Sequence, residues 1–127
     1  MEIKIMETRF EFSEDGNVCV IYLANDMCEE ESSAVLNYTE GDEMIRGCNK
    51  YIVVVPEPFG ACEDFRIQIH RLIRSNRKSN PNFRIAIVTT LLNVIGYEQF
   101  AKTVIGMVER EQIFDTLDEA IEWLKNE

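Results

Sequence analysis

Two short apolar runs on either side of one helix-like segment constrain the fold of this chain most. The runs occupy residues 51–55 and 84–90, are rich in Val and Ile, and lack the polar alternation of a strand with one solvent face. The segment between them follows a Pro-Glu-Pro-Phe-Gly loop at 56–60 and repeats apolar residues at the helical period. This pattern predicts a parallel βαβ unit whose strands are buried on both faces.

The N-terminal residues extend this sheet with an antiparallel hairpin. Strand-like residues 9–12 and 18–23 flank an Asp-Gly turn signal at 15–16, where glycine takes the positive φ that the turn needs. The second of these runs is almost entirely apolar, which predicts a position inside the sheet. Residues 3–6 are either a short first strand or a lead-in to the hairpin.

The C-terminal residues predict one more strand, at 112–114, and a capped helix. Thr116 and Glu119 have the spacing of a capping box, in which the hydroxyl accepts a helix N–H and the carboxylate reaches back to the cap. The helix that follows has an apolar stripe, and we expect Trp123 to cover the edge of this stripe.

Residues 25–50 predict either one broken helix or two short ones. Asn25 or Asp26 is placed to cap the first turn. The acidic run Glu29-Glu30-Glu31 suits the positive end of a helix, and its carboxylates point in different directions. We therefore expect a solvated acidic face there and not a metal site.

The length and the net charge of the chain limit the kinds of protein that it can be. Its 127 residues predict a single domain over 1–127, and no apolar run approaches the roughly 18 residues of a membrane-spanning helix. Its formal charge of −10 disfavours nucleic acid and anionic membrane surfaces. The four cysteines show no CxxC or Cys/His spacing. We expect reduced, mostly buried thiols in a cytoplasmic protein without a leader.

The helix predicted after the 56–60 loop has one apolar and one basic face. Phe65 begins the apolar stripe, and nearly half of the basic residues of the chain lie between Arg66 and Arg84. Either the basic face is solvated and neutralised by acidic neighbours, or it is a docking surface for an acidic partner or an anionic ligand. On the docking hypothesis the partner-binding residues are Phe59, Cys62, Arg66, Ile67, His70 and Arg74.

Residues 91–107 carry more apolar side chains than one helix needs. A helix from about 97 to 107 leaves 91–95 as apolar surplus. This surplus packs into the core or a homodimer interface, or touches a membrane, or forms the wall of a pocket for a small apolar or anionic (lipid-like) ligand between the second and third predicted helices. The pocket hypothesis assigns the ligand contacts to Leu92, Ile95, Phe100 and Val104.

No stretch of the chain carries a catalytic motif. The only histidine, His70, is eight helical positions from Cys62, roughly 12 Å, which is too far for a nucleophile and its base. Residues 56–64 include one glycine and three acids, so they make a poor phosphate cradle. A reactive Cys62 thiol is a separate hypothesis. We predict no enzyme, no catalytic residue, no cofactor and no metal.

Three stretches of the chain are similar to one known family. They are the strand at 50–55 that runs into a loop and a helix, the strand at 83–88, and the strand and capped helix at 112–124. These stretches resemble the STAS domain, the fold of bacterial anti-sigma-factor antagonists, and most of all its SpoIIAA-like (STAS/SEC14-type) branch. The resemblance covers about residues 9–124. It implies a single-domain α/β fold with a mixed sheet, an N-terminal antiparallel hairpin and about four helices.

The resemblance also implies a function, and the chain departs from the family at one place. Antagonists of the partner-switching kind carry a phosphorylatable Asp-Ser-Ser/Thr in the loop that opens the helix after the central strand. Here residues 59–64 are Phe-Gly-Ala-Cys-Glu-Asp, without Ser or Thr, which argues against kinase-controlled switching at this position. What the family implies is a non-enzymatic regulatory module that binds a protein partner, or else a small or lipid-like ligand.

Overall fold

The computed structural model describes residues 1–41, 45, 47–56, 60–62, 65, 84–88 and 111–125. Apart from Phe65, the predicted helix after the 56–60 loop and the predicted helix at 97–107 lie outside these residues. The described helices are α1 (Glu29–Gly41) and the C-terminal helix (Leu117–Lys125). The described strands are β1 (Glu2–Ile5), β2 (Thr8–Phe12), β3 (Val18–Tyr22), β4 (Asp26–Met27), β5 (Lys50–Val54), β6 (Gly60–Ala61), β7 (Arg84–Val88) and β8 (Glu111–Phe114).

Six of the described strands form one mixed sheet in the order β1-β2-β3-β5-β7-β8. The first three strands are antiparallel, and the pairs β3–β5, β5–β7 and β7–β8 are parallel. This confirms the α/β class, the parallel unit of β5 and β7, and the N-terminal hairpin. Of the two alternatives for residues 3–6, a short strand or a lead-in, the strand is correct, although it spans Glu2–Ile5 and ends before Met6.

The central strands are covered on both faces. Tyr51 and Val53 belong to an apolar cluster with Val35 of α1, whereas Ile52 packs in a second cluster with Leu124 of the C-terminal helix. Ile52 is fully buried and Val53 is 2% exposed. The lack of polar alternation in this strand is thus explained by an apolar layer on each side of the sheet.

The β2–β3 hairpin is closed by the predicted Asp-Gly turn. Gly16 has a φ of 71°, which only glycine adopts without a steric penalty. The carboxylate of Asp15 accepts hydrogen bonds from the Ser13 hydroxyl at 2.6 Å and from the Asn17 backbone N–H at 3.0 Å. These two bonds, the one from Ser13 above all, hold the pKa of Asp15 below its usual value because they favour the charged form.

The prediction that Asn25 or Asp26 caps the first helix is wrong. Asp26 belongs to β4, which pairs with β6 and keeps the chain extended up to Cys28. The first helical hydrogen bond runs from the Ser32 N–H to the Cys28 carbonyl at 2.9 Å, so Cys28 is the cap residue. From there α1 is unbroken to Gly41. Residues 42–44 and 46 lie outside the described residues, so the prediction of one broken helix or two short ones is compared only up to Gly41.

The prediction of a solvated acidic face on α1 is wrong for one of its three carboxylates. Glu29 and Glu30 are exposed, but Glu31 is only 3% exposed. Glu31 Oε2 accepts the Thr8 hydroxyl at 2.9 Å and the Glu7 backbone N–H at 3.2 Å. The buried carboxylate therefore fastens α1 to the turn between β1 and β2.

Thr116 caps the C-terminal helix as predicted, but the Glu119 carboxylate contacts the Thr116 hydroxyl and not the backbone N–H that a full capping box uses. The Glu119 N–H donates to Thr116 Oγ1 at 3.2 Å, and the Thr116 hydroxyl donates to Glu119 Oε1 at 3.1 Å. The Glu119 carboxylate thus returns to the hydroxyl of Thr116.

We expect Thr116→Ala to lower the free energy of unfolding by about 1 kcal/mol, because the first turn of the helix loses its side-chain acceptor. Urea unfolding of the wild type, Thr116→Ala and the control Thr116→Ser measures this loss. The serine variant keeps the hydroxyl and should stay close to the wild type. An equal loss in both variants would contradict the role of the hydroxyl.

Candidate functional site

A two-stranded parallel sheet of β4 and β6 holds the loop that follows the central strand. The Gly60 N–H donates to the Asn25 carbonyl at 2.9 Å, and the Cys62 N–H donates to the Met27 carbonyl at 3.0 Å. The loop after β5 is thereby attached to the segment that enters α1. No sequence pattern predicts this pairing, because each strand is only two residues long and too short to show a period.

Cys62 is placed by this small sheet beside the first turns of α1. Its side chain is half-buried and packs against the larger apolar cluster. Cys62 Sγ lies 3.6 Å from Ser32 Oγ, and the Ser32 hydroxyl also contacts the Met27 carbonyl at 3.2 Å. Phe65, three positions further on, is buried in the same cluster, which confirms its predicted place on the core stripe.

Cys62 is the only predicted site residue that lies among the described residues. The other predicted partner-binding residues, Phe59, Arg66, Ile67, His70 and Arg74, lie outside them. So do the predicted ligand contacts Leu92, Ile95, Phe100 and Val104. The basic docking face, the ligand pocket and the reactive Cys62 thiol therefore stay predictions.

Arg84, which the sequence analysis counts among the clustered basic residues, belongs to a strand. It begins β7, and its guanidinium carbon stands 4.2 Å from the ring centroid of Trp123. The Trp123 ring also contacts that of Phe114, with centroids 5.6 Å apart. Trp123 thus covers the edge of the C-terminal helix as predicted, and Arg84 is held there by a cation–π contact.

An open groove of about 860 Å³ runs between the C-terminal helix and the β2–β3 hairpin. Val18, Val20 and Ile52 contribute to its apolar lining, and Ile121 of the C-terminal helix adds to it. The acidic residues that line it are Glu2, Glu11, Glu14 and Asp15, and the basic side chains are Lys50 and Lys125. This excess of carboxylates disfavours an anionic ligand in the groove.

This groove is not among the features predicted from the sequence. Val18 and Val20 occupy alternate positions of β3, so they lie on one face of the sheet, and both are only half-buried. The alternation of these two valines is the sequence signal for such a groove. Because the residues on the other face of the strand are also apolar, the sequence pattern instead predicts a strand inside the sheet. The strand does lie inside the sheet, between β2 and β5.

The comparisons with known proteins place the fold. No protein-family model matches the sequence, and no curated protein sequence matches it either. Among solved structures, the crystal structure of a candidate anti-sigma factor antagonist, TM1081 of Thermotoga maritima, matches with a TM-score of 0.67 at 17% identity. The match covers 92% of this chain and 93% of that one. The chain has the STAS fold.

A second structure of the same relative gives the same result. The NMR structure of TM1081 matches with a TM-score of 0.65 at 15% identity and covers 93% of this chain and 88% of its own. Both matches cover more than nine-tenths of this chain, which agrees with the expected STAS architecture. At this level of identity the similarity concerns the fold.

In this STAS fold the loop after β5 offers no exposed hydroxyl at the positions described. Residues 60–62 are Gly-Ala-Cys, and the nearby hydroxyl of Ser32 is buried, with 2% of the residue exposed. Among the described residues, no three His, Cys, Asp or Glu side chains are grouped to hold a metal ion. None of the described helices combines the length and hydropathy needed to cross a membrane.

Proposed function

We propose that this chain is a non-enzymatic regulatory module that acts by binding a protein partner. The observation that carries the proposal is the match of the fold to a candidate anti-sigma factor antagonist over more than nine-tenths of both chains. The target in that name, an anti-sigma factor, is itself a protein. The absence of a catalytic motif from the sequence agrees with such a role.

We propose the surface that begins at the loop after β5 as the docking surface. The β4–β6 pairing holds this loop against the start of α1, so its backbone is pre-organised for contact. The residues that follow, Arg66, His70 and Arg74, recur at four-residue steps, and the two arginines supply positive charge in a chain of net charge −10. A partner with an acidic surface would complement them. The missing Ser or Thr argues that phosphorylation of this loop does not control the contact.

The test is a comparison of two double charge reversals that change the net charge equally. Arg66→Glu with Arg74→Glu alters the proposed surface, and Lys4→Glu with Lys125→Glu alters exposed positions on β1 and the C-terminal helix. Each protein is tagged, expressed in its own host and purified at low salt, and native mass spectrometry identifies any protein bound to it. We expect the first variant to bind the recovered partner roughly tenfold more weakly or worse, because like charges would face each other.

The control variant should bind like the wild type. Binding of the wild type should also weaken at about 1 M salt, where charges are screened beyond roughly 3 Å. Equal binding by both variants would exclude the basic surface as the docking site. Recovery of the wild type without any protein partner, with or without a bound small molecule, would contradict the proposed function.

A further inference from the structure

Cys28 and Cys62 lie at the same end of two paired strands. β4 and β6 run parallel, with Met27 opposite Ala61. The Cys62 N–H donates to the Met27 carbonyl at 3.0 Å, so the pairing still holds one residue beyond β6. Continuing the register by that one residue sets Cys28 directly opposite Cys62. Paired strands lie roughly 4.8 Å apart, which gives the approximate separation of the two Cα atoms.

A second contact brings the Cys62 sulfur to the same place. The Cys28 carbonyl accepts the first hydrogen bond of α1, from the N–H of Ser32, so Ser32 stands one helical turn after Cys28 on the same side of the helix. Ser32 Oγ lies 3.6 Å from Cys62 Sγ. The Cys62 sulfur is therefore next to the helix side on which Cys28 lies, as the strand register requires.

We propose that Cys28 and Cys62 form a reversible disulfide and that the pair is a thiol-modification site. Disulfides join Cα atoms about 4.4–6.8 Å apart, and the strand spacing falls inside that range. Both cysteines are half-buried free thiols, so small reagents can reach them. Cys19 and Cys48 are buried and have no such access.

The reaction is exchange with a low-molecular-weight disulfide such as oxidised glutathione. The thiolate of one cysteine attacks the disulfide, forms a mixed disulfide and releases one glutathione thiol. The thiolate of the other cysteine then attacks the mixed disulfide at the protein sulfur and releases the second glutathione thiol. The protein loses two electrons and the protons of two thiols, and the reagent gains them as two thiols. Reduced glutathione in excess reverses both steps.

The bond would tie the start of α1 to the loop that leads into Phe65. The proposed disulfide depends on the register of β4 and β6 and on the Ser32 contact. It can form whether or not the neighbouring surface binds a protein. A test by peptide mapping is likewise independent of any partner.

The experiment treats the full-length folded protein with oxidised glutathione, blocks the remaining thiols with an alkylating reagent after unfolding, and maps the peptides by mass spectrometry. Digestion must cut between Cys19 and Cys28, and chymotryptic cleavage after Tyr22 does so. We expect loss of two of the four thiols and one cross-linked peptide pair that contains Cys28 and Cys62. Excess reduced glutathione should restore all four thiols.

Cys28→Ser and Cys62→Ser each remove one partner and serve as matched controls. In each variant the remaining thiol should carry a glutathione adduct, because no second thiolate can displace it. The wild-type map decides the question if either variant folds poorly. Glutathione adducts on both cysteines without a cross-link, a cross-link that includes Cys19 or Cys48, or no loss of thiols would overturn the proposal.

Discussion

Replacing Phe10 with alanine should lower the free energy of unfolding by about 3–5 kcal/mol, the range found for truncated buried phenylalanines. Phe10 lies on β2, is fully buried, and packs edge-on against Tyr38 of α1 with ring centroids 4.9 Å apart. Its removal leaves a cavity between the sheet and α1. Since domains of this size have about 5–15 kcal/mol of stability, the loss is a large part of the whole.

The matched control for this change is Phe10→Leu, which keeps most of the apolar volume and should cost less than about 1.5 kcal/mol. Chemical denaturation followed by tryptophan fluorescence and circular dichroism measures both variants, since the single Trp123 reports on the other face of the sheet. Alanine and leucine variants of equal stability would mean that the ring does not fill the space between β2 and α1.

Replacing Glu31 with alanine should lower the free energy of unfolding by about 2–3 kcal/mol, because one buried and one partly buried donor lose their carboxylate acceptor. These donors are the Thr8 hydroxyl at the start of β2 and the Glu7 N–H in the turn before it. Met6 in that turn has a φ of 54°, a left-handed conformation that is unfavourable for a residue with a side chain. The hydrogen bonds of Glu31 therefore help to hold an otherwise unfavourable turn.

Glu30→Ala is the control, because Glu30 is an exposed carboxylate in the same helical turn. Both substitutions remove one negative charge from the N-terminal end of α1, so the difference between them isolates the hydrogen bonds of Glu31. Glu30→Ala should change stability by less than about 0.5 kcal/mol. Hydrogen exchange of the Glu7 amide should accelerate only in Glu31→Ala. Equal effects of the two substitutions would contradict the role of the buried carboxylate.

The sheet could be predicted from the sequence because each of its features has a local cause. Strands β5 and β7 are rich in Val and Ile and lack alternating polar residues. This pattern indicates that both faces of these strands are covered by apolar side chains. The Asp-Gly turn at 15–16 and the helix cap at Thr116 are signals of a few neighbouring residues, and both are present as predicted.

The candidate site could not be predicted in the same way, because it depends on contacts between distant segments. The pairing of β4 with β6 involves two residues on each side, too few to show a period. Because of this pairing Asp26 lies in a strand, and Cys28 is the residue that caps the helix. The pairing also sets Cys28 opposite Cys62, and no residue pattern around either cysteine predicts that they are close. Glu31 is the same type of residue as its neighbours Glu29 and Glu30, so the sequence does not set it apart. It is buried because it packs against the start of β2.

The order of strands in the sheet has a consequence for how the chain folds. β1, β2 and β3 are joined by two short turns, so their pairing closes only small loops and costs little chain entropy. Every parallel pair joins residues far apart in the chain, such as Val18 with Lys50 and Lys50 with Arg84. The three-stranded meander is therefore the part of the sheet that can assemble first, during synthesis from the N-terminus, and β3 then serves as the template on which β5, β7 and β8 are added in turn.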